Sequence, residues 1–144
     1  VAADEATVAA VPTLTLTGAR CVLNRSLAAA AELGVAVCVA VTDRSGHLLA
    51  FARMDDAPLL SVSIAQDKAY TVTAFGGLAT HEWFDVISGE PALLAGIVKT
   101  DRLIVFAGGV AVRSAGALAG AVGVSGGSAE QDRAVAEAGA AALR

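Results

Sequence analysis

Between Ala119 and Asp132 the chain reads as a strand running straight into a glycine turn and then into a capped helix. Gly120, Gly123, Gly126 and Gly127 put four glycines in eight residues, which allows very close backbone approach. Gly126 and Gly127 can take positive φ at little cost, and Ser128 with Gln131 three residues on fits the capping box of a helix start. A helix N-terminus opening beside such a turn suits an anionic group, yet many α/β domains end a strand this way. As a motif, the stretch reads first as a structural junction.

The elements before it follow from periodicity and punctuation. Thr15 or Thr17 caps a first helix running to about Leu33, with Ala19, Val22, Leu23, Leu27 and Ala30 on one face and Gly34 at its end. The apolar run Val35 to Val41 predicts a strand covered on both faces, and Thr42 to Gly46 a hairpin turn into a second strand, His47 to Met54. Pro58 opens a second helix, Leu59 to Phe75, closed by Gly76 and Gly77. A short helical region, Thr80 to Lys99, follows. Three strands are then expected at Arg102 to Phe106, Val110 to Arg113 and Ala117 to Val124, before a helix from Ala129 to Leu143. Hairpins dominate this order, so it predicts an α+β chain with a five-stranded antiparallel sheet and helices on its faces.

Composition bounds the partners. The 144 residues fit one domain, expected from residue 14 to 144 behind a flexible tail at 1–13. At 56% hydrophobic and a mean hydropathy of +0.66, the chain is too apolar for an ordinary small monomer, and the surplus points to burial between subunits of a homo-oligomer. No apolar run reaches the roughly 20 residues of a membrane span. A net charge of −4 leaves no basic stripe for nucleic acid and disfavours anionic membrane surfaces. Cys21 and Cys38 lack metal-ligand spacing and read as buried structural thiols. The first residues carry no signal-peptide pattern, which points to the cytoplasm, or to secretion if such a peptide has been removed.

Few residues can carry chemistry. On the second helix Ile64, Lys68, Thr71 and Phe75 share a stripe, so Lys68 either sits partly desolvated, ready to bind a carboxylate, or lays its stem along apolar surface with the ammonium in water. His81, Glu82, Trp83 and Asp85 cluster after the Gly-Gly break and could line a cofactor pocket or supply a metal or haem ligand through His81; the alternative is a short helix with Trp83 and Phe84 inward and His81 exposed. His47, beside a hairpin turn, faces solvent. Arg53, at a strand exit, could clamp a carboxylate or propionate, or bridge to Asp43 or Asp55. Gly108 and Gly109 let backbone approach a ligand or tighten a connection. Hydrolase and P-loop signatures are missing.

Taken as a set, Glu32-Leu33-Gly34-Val35, Val41-Thr42-Asp43, Gly46 to Asp55, Asp67-Lys68-Ala69-Tyr70-Thr71, Phe106-Ala107-Gly108-Gly109-Val110 and Gly123 to Gly127 resemble the GlcG/HbpS family, over about Leu14 to Leu143. The resemblance implies a profilin-like sandwich, a homo-oligomer that often reaches an octamer, and small-ligand binding, with haem bound by members and degraded by some. Lys68, Tyr70 and Thr71 match its Lys-Ala-Tyr-Thr helix, Arg53 and Asp55 its Arg-Met-Asp strand end, and Gly108-Gly109 its double-glycine turn. Ala111 stands where the family commonly has proline. The acidic iron-binding motifs of the secreted haem-sensing branch are absent, and Thr80 to Asp101 looks like a subgroup variation.

Three functions are expected. One is a binder of haem or a related tetrapyrrole, with His81 or Thr71 as axial ligand, Arg53 or Lys68 facing the propionates, and Gly108-Gly109 in the wall. Another is a cofactor-independent isomerase or lyase on a small carboxylated or aromatic metabolite, with Lys68 as base or electrostatic catalyst and His81 as acid or base. A purely accessory assembly subunit is a third.

Overall fold

The computed structural model describes residues 6–143. Helix α1 (Leu16–Leu33) precedes the hairpin β1 (Cys38–Asp43) and β2 (Leu48–Arg53), followed by α2 (Leu60–Ala74). A 3-10 turn, Thr80–Glu82, leads into α3 (Trp83–Ile87) and α4 (Pro91–Ile97), and the chain ends with β3 (Gly109–Ser114), β4 (Ala117–Ser125) and α5 (Ala129–Ala140), the last extended by a 3-10 turn at Ala141–Leu143. The first five residues of the expected tail lie outside the described residues. Thr13 is already tied down, its hydroxyl accepting from the Arg44 amide at 3.1 Å.

Alternation along the strands decides how the layers stack. Successive strand residues face opposite sides. Val39 and Val41, Val110 and Val112, and Val122 and Val124 therefore share one face, where they pack with Val22, Ala30, Val135 and Ala136 of α1 and α5. Their neighbours Cys38, Ala40 and Ala121 form the other face and meet Ala65, Ala69 and Val72 of α2. The second face is built from small residues, so α2 lies almost on the backbone of β4. A Cβ added at Gly123 would run into the Ala65 carbonyl and stand 2.7 Å from the Ala69 amide.

The helix ends obey local signals. Thr15 accepts from the Gly18 amide at 3.1 Å, and Gly34 closes α1 in the left-handed region at φ 70°. At α5 the reciprocal box is complete: Gln131 N donates to Ser128 Oγ at 3.2 Å and Ser128 N to Gln131 Oε1 at 3.0 Å.

Two expectations need correction. The sheet has four strands, not five, in the order β2-β1-β4-β3 with every pair antiparallel. Arg102 to Phe106 is not a strand, because Arg102 turns the chain at φ 64° and the Thr71 hydroxyl takes its backbone groups. That oxygen accepts from the Ile104 amide at 3.0 Å and reaches the Arg102 carbonyl at 3.1 Å. The second correction is Cys21, which is exposed while Cys38 is buried: it sits one residue off the inward face that Val22 marks.

The close approach of α2 makes a direct test. Gly123→Ala should destabilise the chain by at least about 3 kcal/mol, because the clash is with helix backbone that cannot rotate away. Gly89→Ala, where an added Cβ meets nothing within 4 Å, should stay within about 0.5 kcal/mol. Urea midpoints of the two variants give the comparison, and equal midpoints would refute the packing argument.

Candidate functional site

The buried residues of α2 are Ser61, Ala65, Lys68, Ala69, Thr71 and Val72. Of the predicted stripe Ile64, Lys68, Thr71 and Phe75, the two central residues are buried, Ile64 is half-buried and Phe75 is exposed. Lys68 belongs to the buried set, 1% exposed, and its ammonium is closed on several sides. Nζ donates to the Val124 carbonyl at 2.7 Å and to Asp132 Oδ2 at 3.2 Å, and lies 5.2 Å from the centre of the Phe106 ring. Gly108, at φ 129°, completes the cage, since a Cβ there would meet Val124 O and stand 2.5 Å from Nζ.

Asp132 is the partner that reading for cations missed, although it stands inside the glycine-turn motif. Its other oxygen accepts from the Gly127 amide at 2.9 Å, and it lies in the first turns of α5, where the helix dipole favours a negative charge. The glycine turn and capped helix thus hold an anion of the protein's own. Burial pushes the Lys68 amine below its ordinary 10.5, and the Asp132 carboxylate resists that shift by attraction and hydrogen bonding.

The same glycine pair positions His81. The Gly109 amide donates to Thr80 Oγ1 at 2.8 Å, and Thr80 is fully buried, so the residue after it is placed by the turn that roofs Lys68. His81 opens into a cleft of about 380 Å³ lined by Gly77, Glu82, Val110, Arg113, Arg133 and Glu137, among others. Its side chain is 18% exposed, with Nε2 3.8 Å from Glu82 and Nδ1 buried without a hydrogen-bond partner. Two guanidiniums share this cleft. Arg133 pairs with Glu137 at 2.8 Å, and Arg113 reaches the Gly116 carbonyl at 3.4 Å. Gly77 makes room for Arg113, whose Nη2 would lie 2.8 Å from an added Cβ.

The remaining named residues lie apart from it. Thr71 Oγ1 is taken up by Asp67, Arg102 and Ile104, as the short distances of 2.8, 3.1 and 3.0 Å show. Arg53 donates Nε to the Ala57 carbonyl at 3.1 Å, closing the turn after β2, and Asp43 pairs with the exposed His47 at 3.1 Å instead. Trp83 is buried and Phe84 exposed, so the pair does not point inward together. Among the described residues, no group of three or more His, Cys, Asp or Glu could hold a metal ion, and no helix is long and apolar enough to cross a membrane.

The family model of the haem-degrading HbpS-like proteins matches residues 14–141. The chain belongs to this HbpS-like family. A relative from Citrobacter freundii, an uncharacterized 15.0 kDa protein of the dhaT-dhaS intergenic region, is 40% identical over 129 residues, 88% of this chain and 89% of its own. The Klebsiella pneumoniae protein ORFY superposes with a TM-score of 0.88 at 34% identity, covering 96% of both chains. The PduOC:heme complex gives 0.83 at 34% identity, over 92% of this chain and 96% of that one. The residues matched by the family model include the Lys68 cage and the His81 cleft.

Breaking the cage should be costly and repairing it cheap. Lys68→Met leaves a buried carboxylate unpaired and should cost about 3–5 kcal/mol, Asp132→Leu a similar amount, and the double variant should be more stable than either single one. Urea unfolding of the four proteins decides, and additive losses would show that the two groups are not a unit. The lysine shift also has a sign. Just below pH 10.5 the unfolded chain keeps the Lys68 proton while the native state releases it, so the stability of the wild type relative to Lys68→Met should rise with pH in that window. A falling difference would contradict the lowered amine.

Proposed function

We propose that this HbpS-like chain binds haem or a related tetrapyrrole in the His81 cleft. The observation that carries the proposal is the placement of the His81 imidazole on the wall of a cleft that also holds Arg113 and Arg133. The residues fit the group: His81 is an axial-ligand type, and the two guanidiniums suit propionate carboxylates. When bound, haem would supply an iron for the imidazole and two carboxylates for the arginines. The haem held by the 34% identical PduOC supports the same reading.

In this proposal Lys68, Gly108 and Gly109 act as positioning residues. The Gly109 amide holds Thr80, and through it His81; Lys68 and Gly108 pack together in the cage beside that turn. Thr71 fixes the Arg102 to Ile104 segment, and Arg53 lines no part of the cleft. The cleft is open and its volume lies at the low end of the roughly 300–1,000 Å³ typical of small-molecule sites, so part of a macrocycle would stay uncovered by one subunit. A homo-oligomer of profilin-like subunits, up to an octamer, completes the reading. Leu59, Leu60, Phe84, Val86 and Val98 are exposed and give such an assembly apolar surface to bury.

Titration with haemin at micromolar concentration should give a saturable Soret shift. His81→Ala should weaken it and alter the band position, and Arg113→Ala or Arg133→Ala should each weaken binding about tenfold without moving the band, as expected for one charge-assisted hydrogen bond. A flat titration, or a His81→Ala band identical to the wild type, would refute the assignment.

A further inference from the structure

A second cavity lies between α2, α4 and the segment after α4. It is a cleft of about 180 Å³ walled by Tyr70, Ala74, Phe75, Trp83, Ile97 and Leu103. Half of these residues are aromatic, and the Phe75 and Trp83 rings lie 4.9 Å apart between centroids. Phe75 is 58% exposed, so part of this aromatic wall is left uncovered by the chain. Tyr70 already carries one cation, the Arg102 guanidinium 4.0 Å from the centre of its ring. Arg102 is also paired to Asp67 at 2.8 Å and lines no part of the cleft.

We infer that this cleft is a second ligand site, for a small organic cation whose ammonium is fully methylated. Charge sets the sign. Asp101 is the one charged residue lining the cleft; it is exposed and makes no ion pair among the described residues. Its carboxylate attracts a cation and repels an anion. The walls set the kind of cation. The Thr71 hydroxyl, which also borders the cleft, is committed to the backbone at 67, 102 and 104, so mostly apolar surface is left to replace the water around an ammonium. A primary ammonium loses hydrogen bonds there, which is costly. A trimethylammonium group has no N–H to leave unsatisfied, presents methyl surface to apolar walls, and is the kind of cation that aromatic side chains recognise. Size agrees, since an apolar cavity of about 150 Å³ accommodates benzene and a trimethylammonium group has similar bulk. None of the lining residues lines the His81 cleft, so this inference stands apart from the haem reading.

The test uses choline and 3,3-dimethylbutan-1-ol, which share one shape and differ in a carbon that replaces the charged nitrogen. The chain's single tryptophan lines the cleft and serves as the fluorophore, with ligand-observed NMR as a second readout. Choline should bind saturably and about tenfold more tightly than the neutral alcohol, within the range expected for a cation on aromatic rings. Ethanolamine, the primary ammonium counterpart, should bind more weakly than choline. Asp101→Asn, a change at an exposed side chain, should weaken choline about threefold and leave the alcohol unaffected, as expected for one exposed charge pair. Phe75→Leu should narrow the preference for choline over the alcohol, and Ala74→Leu should abolish binding of both while leaving the haemin titration unchanged. Equal or tighter binding of the neutral alcohol, ethanolamine as tight as choline, or no saturation with choline at millimolar concentration would overturn the inference.

Discussion

A single ammonium inside the protein holds four parts of the chain in register. Lys68 belongs to α2, its carbonyl partner to β4, its carboxylate partner to α5, and the glycine that roofs it to the turn before β3. Burying a charge is unfavourable unless it is paired and hydrogen-bonded, and here both conditions are met by groups far apart in sequence. The cage therefore selects one mutual arrangement of helix, sheet and turn more sharply than apolar contacts do, because apolar contacts are non-directional.

The cage is reachable only because one face of the sheet is nearly bare. Valine on the α1 and α5 side gives thickness, while glycine, alanine and cysteine on the α2 side let a helix settle against backbone. Gly139 applies the same device between α5 and α1, where a Cβ would collide with the Ser26 hydroxyl.

Much of this was legible in the sequence because the signals are local. Thr15, Gly34, Ser128 and Gln131 mark helix ends by side-chain chemistry, and strand alternation marks the layers. The fifth strand misled because Leu103 to Phe106 has strand composition, and nothing local announces that a threonine hydroxyl on α2 will claim its amide and carbonyl groups. Lys68 was conspicuous as an amine on a helix face, but its carboxylate partner lies 64 residues away and could not be paired by spacing. His81 and Trp83 stood out as a cluster. Their separation into two clefts depends on the 3-10 turn and α3, whose short length leaves no periodicity to read.

The bare glycine above the ammonium also shapes how such a chain can drift. A side chain at position 108 needs the lysine to retract, a shortened lysine strands the aspartate, and a neutral residue at 132 leaves the amine with one oxygen. Substitutions at 68, 108 and 132 are therefore energetically coupled. A change at any one of them is tolerable only in company with another, a restraint that folding alone imposes and no ligand need enforce.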